Sequence, residues 1–91
     1  MELTGKLIEL LPEVTGESSK GEWIKQDVIL ETIEQYPKKV CISFWGDLVA
    51  KIGGLEKNAE LTVSINLESR EYNNRWYTEV RAWKFDATLP Y

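Results

Sequence analysis

The stretch Lys39-Val40-Cys41-Ile42-Ser43-Phe44-Trp45-Gly46-Asp47-Leu48-Val49-Ala50-Lys51-Ile52-Gly53-Gly54 changes period in its middle. Up to Trp45, apolar Val40, Ile42 and Phe44 alternate with Lys39, Cys41, Ser43 and Trp45, the period of a strand with one buried face. The first set therefore faces a core and the second faces outward. Beyond Gly46, Leu48 and Ile52 stand four apart beside Val49, the spacing of one helix face. Asp47 is placed to cap that helix and Gly53 to close it. A strand over 39–45 running straight into a short helix over 47–52 is predicted.

Working outward, the rest of the chain reads as strands. Turn signals fall at Thr15-Gly16-Glu17-Ser18-Ser19-Lys20-Gly21, Gln35-Tyr36-Pro37, Gly53-Gly54 and Asn73-Asn74. Between them lie segments rich in Val, Ile, Thr and aromatics, at 3–11, 23–32, 61–69 and 75–85. Residues 61–69 alternate cleanly, with Leu61, Val63, Ile65 and Leu67 on one face. Asn73-Asn74 suits a two-residue hairpin turn, because Asn tolerates positive φ. Gly5 inside the first strand suggests a bulge or a sharp coil. The resulting order, β-β-β-α-β-β, is the layout of the all-β, five-stranded oligonucleotide/oligosaccharide-binding (OB) barrel. One domain over 1–91 is expected, with 86–91 as a short C-terminal tail.

Composition narrows the chemistry. The chain has 91 residues, no histidine and a single cysteine, Cys41. Without histidine, neither a Ser–His–Asp nor a Cys–His arrangement exists, and the commonest transition-metal ligand is missing. No Gly-rich phosphate loop and no calcium-loop spacing occurs. The reading is a non-enzyme with no cofactor and no metal. Met1 to Lys6 lacks the layout of a secretory signal and no apolar run exceeds three residues, so the cytoplasm is expected and a membrane is not. The formal net charge is −4, which weighs against nucleic acid as a partner. Its distribution tempers that: residues 1–34 hold three lysines against eight acids, whereas residues 70–91 hold four basic groups against three. Lys38 and Lys39 lie in an acid-free window over 35–45.

Three segments carry a resemblance. Ser43-Phe44-Trp45-Gly46-Asp47 resembles the aromatic-Gly step that ends strand three in bacterial single-stranded DNA-binding proteins. Leu67-Glu68-Ser69-Arg70-Glu71-Tyr72 is similar to the end of their fourth strand, and Arg75-Trp76-Tyr77-Thr78-Glu79-Val80 to their fifth. Gln35-Tyr36-Pro37-Lys38-Lys39-Val40 and Glu68-Ser69-Arg70-Glu71-Tyr72-Asn73 resemble a family of short uncharacterised bacterial OB proteins more closely. The resemblance implies an OB fold and binding of single-stranded nucleic acid. Asn73-Asn74 is shorter than the loop of single-stranded DNA-binding proteins at this place, and Lys39 stands about where those proteins put another stacking aromatic. The end, Asp86-Ala87-Thr88-Leu89-Pro90-Tyr91, resembles the tip by which those proteins recruit replication and repair enzymes, which would make Leu89, Pro90 and Tyr91 partner-binding. Read on its own, Pro90 simply stops the chain and leaves a frayed end.

Parity then selects candidates. With Val28, Leu30 and Ile24 inward, Trp23, Lys25 and Asp27 face out beside Trp45. An outward tryptophan fits base stacking or a subunit interface; for Trp45 stacking comes first, and for Trp23 the two stand even. Trp45 is expected to be solvent-accessible in the monomer. On strand five, Thr78, Val80 and Ala82 point inward, leaving Tyr77, Glu79, Arg81 and Trp83 outside. Trp76 shares the inward parity and reads as core, and Trp83 and Phe85 read as plugs for the barrel's open end. Arg75 and Arg81 read either as phosphate contacts or as cross-strand partners of Glu68 or Glu79. Lys38 and Lys39 are the better phosphate candidates. Cys41 has no assigned role.

The leading reading is a binder of single-stranded nucleic acid, DNA first, through strands two and three and the flanking loops. Its candidate residues are Trp45, Lys38, Lys39, Trp23, Lys25, Arg75, Arg81 and Tyr77. The alternative is an OB interaction module whose outer aromatics meet a second copy or another protein, with no nucleic acid. An oligosaccharide binder is a third reading, since it too uses exposed tryptophans and tolerates negative charge. A homo-oligomer and, through the tail, a replication or repair protein are the further partners these readings admit.

Overall fold

The computed structural model describes residues 1–88. Its elements are β1 (Glu2–Ser18), β2 (Gly21–Thr32), β3 (Lys39–Trp45), α1 (Asp47–Ile52), β4 (Glu60–Tyr72) and β5 (Arg75–Thr88). The strands close into a barrel in the order β1-β2-β3-β5-β4. β1 makes the seam: residues 2–6 pair with 60–64 of β4, while residues 5–18 pair with β2. β3 meets β5 in parallel through the single register pair Ser43–Arg81.

The core follows the period-two patterns. Val28, Leu30, Ile42, Phe44, Leu61 and Val63 have no exposed surface. α1 lies between β3 and β4 in the chain and buries Val49 and Ile52. Its bounds are those expected from Leu48, Val49 and Ile52, but its N-cap is Gly46, with no side-chain capping bond. Asp47 instead occupies the first turn, where its charge favours the helix dipole. Asn73 and Asn74 take φ of 51° and 63°, as the two-residue turn requires.

Strand lengths and four particular expectations differ. β1 runs on to Ser18 and leaves Ser19-Lys20 as the turn, so Gly16 belongs to a strand. Asp86, Ala87 and Thr88 are the last residues of β5, opposite Thr62, Leu61 and Glu60, and not part of a tail. Gly5 carries no bulge; the register shifts of β1 fall between Leu7 and Glu9 and between Leu10 and Glu13. Gly5 is instead a close approach, since a Cβ there would sit 2.6 Å from the Glu31 carbonyl oxygen.

Trp76 is not core: it is 69% exposed. The β4–β5 hairpin continues past the barrel wall as an arm, so its inward-parity residues have nothing above them. Leu67 is exposed there for the same reason, and Thr78 exchanges a 2.9 Å hydroxyl hydrogen bond with Ser69. Trp83 and Phe85 part company at a bulge. Ser64 pairs with Lys84 and the next residue, Ile65, with Ala82, so Trp83 is skipped. That extra residue resets the parity. Phe85 is thereby turned inward and packs edge-on against Phe44 at 5.7 Å, while Trp83 keeps its outward side, 57% exposed, and plugs nothing.

Candidate nucleic-acid interface

The outer faces of β2 and β3 bring side chains into register. Lys25 lies opposite Trp45, Asp27 opposite Ser43 and Glu31 opposite Lys39. The Ser43 hydroxyl donates a 2.8 Å hydrogen bond to Asp27 Oδ1, which ties the middle of this face together. The Gly46 N–H donates to the Ile24 carbonyl at 3.0 Å and fixes the end of β3 where Trp45 stands.

Trp45 is half-buried rather than free. Trp23 lies against it, ring centroids 5.6 Å apart and tilted by 50°. The Lys25 ammonium is 5.5 Å and the Arg81 guanidinium 5.0 Å from its centroid. Each such cation contributes about 0.5–1 kcal/mol at an exposed site. The indole Nε1 is buried and makes no hydrogen bond.

Trp23 owes its position to Gly16, its register partner on β1. A Cβ on Gly16 would lie 2.3 Å from Cζ2 of the Trp23 indole, so the ring rests on bare backbone. Gly16→Ala is therefore expected to push Trp23 off the hairpin and away from Trp45. The checks are loss of the near-UV circular dichroism of the paired indoles and a destabilisation of about 1–3 kcal/mol, typical of overpacking. An unchanged spectrum would show that the indole does not need the glycine.

The arm forms the wall of the site. Glu68, Arg70, Tyr77, Glu79 and Arg81 line one side of an open groove of about 590 Å³, with Lys25, Cys41, Ser43 and Trp45 on the other. Three cations face two carboxylates, in contrast to the net charge of −4 for the chain. Glu68 and Glu79 sit directly opposite one another, an unfavourable pairing of like charges. Arg70 relieves it with a 3.8 Å contact to Glu68, the ion pair found among the described residues. Both partners are exposed, so the pair is worth under about 1 kcal/mol. The Cys41 thiol is pushed up by burial and by Asp27, against a smaller lowering by Lys25, and stays neutral near pH 7.

Of the sequence-predicted candidates, Trp45, Lys25, Arg81 and Tyr77 meet in this groove. Trp23 backs it from the next pocket, beside Gly16 and Glu22. Lys38 and Lys39 are exposed at the opposite end of β3. There Thr32 closes their loop, its N–H donating to the Lys38 carbonyl at 2.8 Å and its hydroxyl accepting from the Lys38 N–H at 2.9 Å. Arg75 is exposed at the arm's tip, opposite Tyr72. Neither Arg75 nor Arg81 pairs with Glu68 or Glu79. Leu89, Pro90 and Tyr91 lie outside the described residues. Sequence reasoning missed Arg70 and Gly16. Counting back from the Asn73-Asn74 turn places Arg70 opposite Tyr77, and Gly16 faces a tryptophan across its hairpin.

Among the described residues no cluster of His, Cys, Asp or Glu is arranged to hold a metal ion, and no helix is long and apolar enough to cross a membrane. The sequence model of a family described as Domain of unknown function (DUF3127) matches residues 2–86. No curated protein matches the chain. Solved structures share its fold. One is the SSB domain of a protein from Synechococcus sp., with a TM-score of 0.66 at 13% identity over 93% of this chain and 90% of that one. Wild-type single-stranded DNA binding protein from Thermus aquaticus gives 0.70 at 21% identity, over 97% of this chain but 48% of that one. The dimeric N-terminal domain of the PriB protein from Thermoanaerobacter tencongensis gives 0.68 at 18%, over 99% and 96%. At these identities the likeness shows the fold alone, an OB barrel of five strands with one short helix between β3 and β4.

Proposed function

The chain belongs to the family described as Domain of unknown function (DUF3127), and from that premise we propose that it binds single-stranded nucleic acid, DNA ahead of RNA, without catalysing a reaction. The observation that carries this is Trp45, set on the outer face of β3 in an open groove with Lys25 and Arg81 beside its ring and Tyr77 on the opposite wall. An aromatic platform flanked by cations is what a strand of bases and phosphates needs. Stacking supplies about 1–3 kcal/mol per base whatever its identity, and the cations meet the backbone. Lys38 and Lys39, at the far end of β3, are further phosphate candidates outside the groove, and Arg70 is the third groove cation beside Lys25 and Arg81. Of the similar structures described above, the Thermus aquaticus protein carries single-stranded DNA binding in its name, and the dimeric PriB domain accords with a homo-oligomer.

Titration with oligo-dT at several salt concentrations tests the proposal. With two to four phosphate contacts, the log–log slope of affinity against salt is expected to be shallow, roughly −1.5 to −3 at about −0.7 per contact. Exposed Trp76, Tyr72 and Leu67 on the arm favour a second reading, a protein-interaction module. A slope near zero, or no binding, would support that reading and overturn the first.

A further inference from the structure

We propose that Trp45 is a capped platform, whose covering cations, Lys25 and Arg81, leave the indole for a phosphodiester and not for a neutral ligand. This deepens the nucleic-acid reading and rests on it. Lys25 comes from β2 and Arg81 from β5, the two strands that flank β3. Both cations approach the same ring, at 5.5 and 5.0 Å. Neither is held by a carboxylate, although Glu68 and Glu79 line the same groove; Glu68 is taken by Arg70. The ring is thus the partner of both charges, and any flat ligand must displace them to stack.

What displaces them decides what binds. A phosphate oxygen forms charge-assisted hydrogen bonds with an ammonium or guanidinium that are stronger than an exposed cation–ring contact. A nucleotide strand therefore draws Lys25 and Arg81 off the indole with its phosphates and offers a base to the surface they uncover. A nucleoside or a neutral sugar has a face to stack and neutral acceptors, but no anionic oxygen to draw the cations away. The cap turns one ring into a site that requires base and phosphate together, which separates nucleic acid from the oligosaccharides that also use exposed tryptophans.

The test uses the full chain labelled with 5-fluorotryptophan, the Trp45 ¹⁹F resonance being assigned by its loss in Trp45→Phe. In wild type, oligo-dT is expected to shift that resonance and thymidine to leave it in place. In the double variant Lys25→Gln/Arg81→Gln, the H₂O/D₂O isotope shift of Trp45 is expected to grow without any ligand, and thymidine now moves the resonance. Oligo-dT binding by that variant should lose about 1.4 from its salt slope, about 0.7 for each lost contact. Arg81→Lys keeps a cation at the ring and is expected to stay blind to thymidine. Thymidine shifting wild type as far as the double variant, or an unchanged isotope shift, would overturn the cap whether or not DNA binds. Failure of oligo-dT to move wild-type Trp45, with the isotope shift grown as expected, would overturn release by phosphodiester; absence of any oligo-dT binding would overturn the nucleic-acid reading as well.

Discussion

Phe44→Ala is expected to lower stability by about 3–5 kcal/mol, the usual result of emptying a buried phenylalanine site. Phe44 heads the fully buried side chains by volume, with no exposed surface. It packs with Leu7, Val28, Ile42 and Leu61 in one cluster and takes the edge of Phe85 at 5.7 Å. The alternation of β3 holds the side chain at the middle of the barrel, where closed strands leave little room for the cavity to collapse. A domain of this size has about 0.05–0.15 kcal/mol of stability per residue. The variant therefore loses a large share of the whole, and its melting temperature should fall by more than about 10 °C. Urea denaturation measures the cost directly: the midpoint should drop with an unchanged slope. A loss under about 1 kcal/mol would mean that Phe85 and the neighbouring strands close over the gap.

One residue further on, Trp45→Ala is expected to do the reverse. It leaves the core intact, since the ring lies on the outer face, and weakens oligo-dT binding by about 5- to 150-fold, the equivalent of one base stack. The affinity is best read by anisotropy of a labelled oligonucleotide, because the substitution removes part of the intrinsic fluorescence. Affinity equal to wild type would exclude stacking at Trp45 and move the site elsewhere on the barrel. The pair of variants separates the two faces of β3, one holding the fold and the other the ligand.

What could be read from the sequence was local. The helix over 47–52 and the Asn73-Asn74 turn depend on contacts within a few residues, and both stand where they were expected. Parity gave the faces of β3 correctly for the same reason. It does not say whether a face is covered, which is why Trp76 on the projecting arm is exposed despite its inward parity. It also fails across an unseen bulge, and the skipped Trp83 sends Phe85 rather than itself into the core. In the groove, Lys25 and Trp45 were legible as neighbours on adjacent strands. The guanidinium of Arg81 over the same indole was not, because β3 and β5 meet in parallel through one register pair that no hairpin announces. The indole of Trp23 over Gly16 follows only once β1 is seen to extend to Ser18.

The seam made by β1 governs how the chain reaches this structure in time. The β1–β2 and β4–β5 hairpins join segments adjacent in sequence, and such units form within about 1–10 μs. Pairing Glu2 with Ser64 and Lys6 with Glu60 instead requires the two ends of a long intervening chain to meet. That closure costs entropy before any contact repays it, and barrels built on such distant pairings fold in about milliseconds to seconds. The search is therefore concentrated in one event, the arrival of residues 60–64 at the free edge of residues 2–6. Gly5, pressed against β2 on one side and paired to Leu61 on the other, sits where that event is completed.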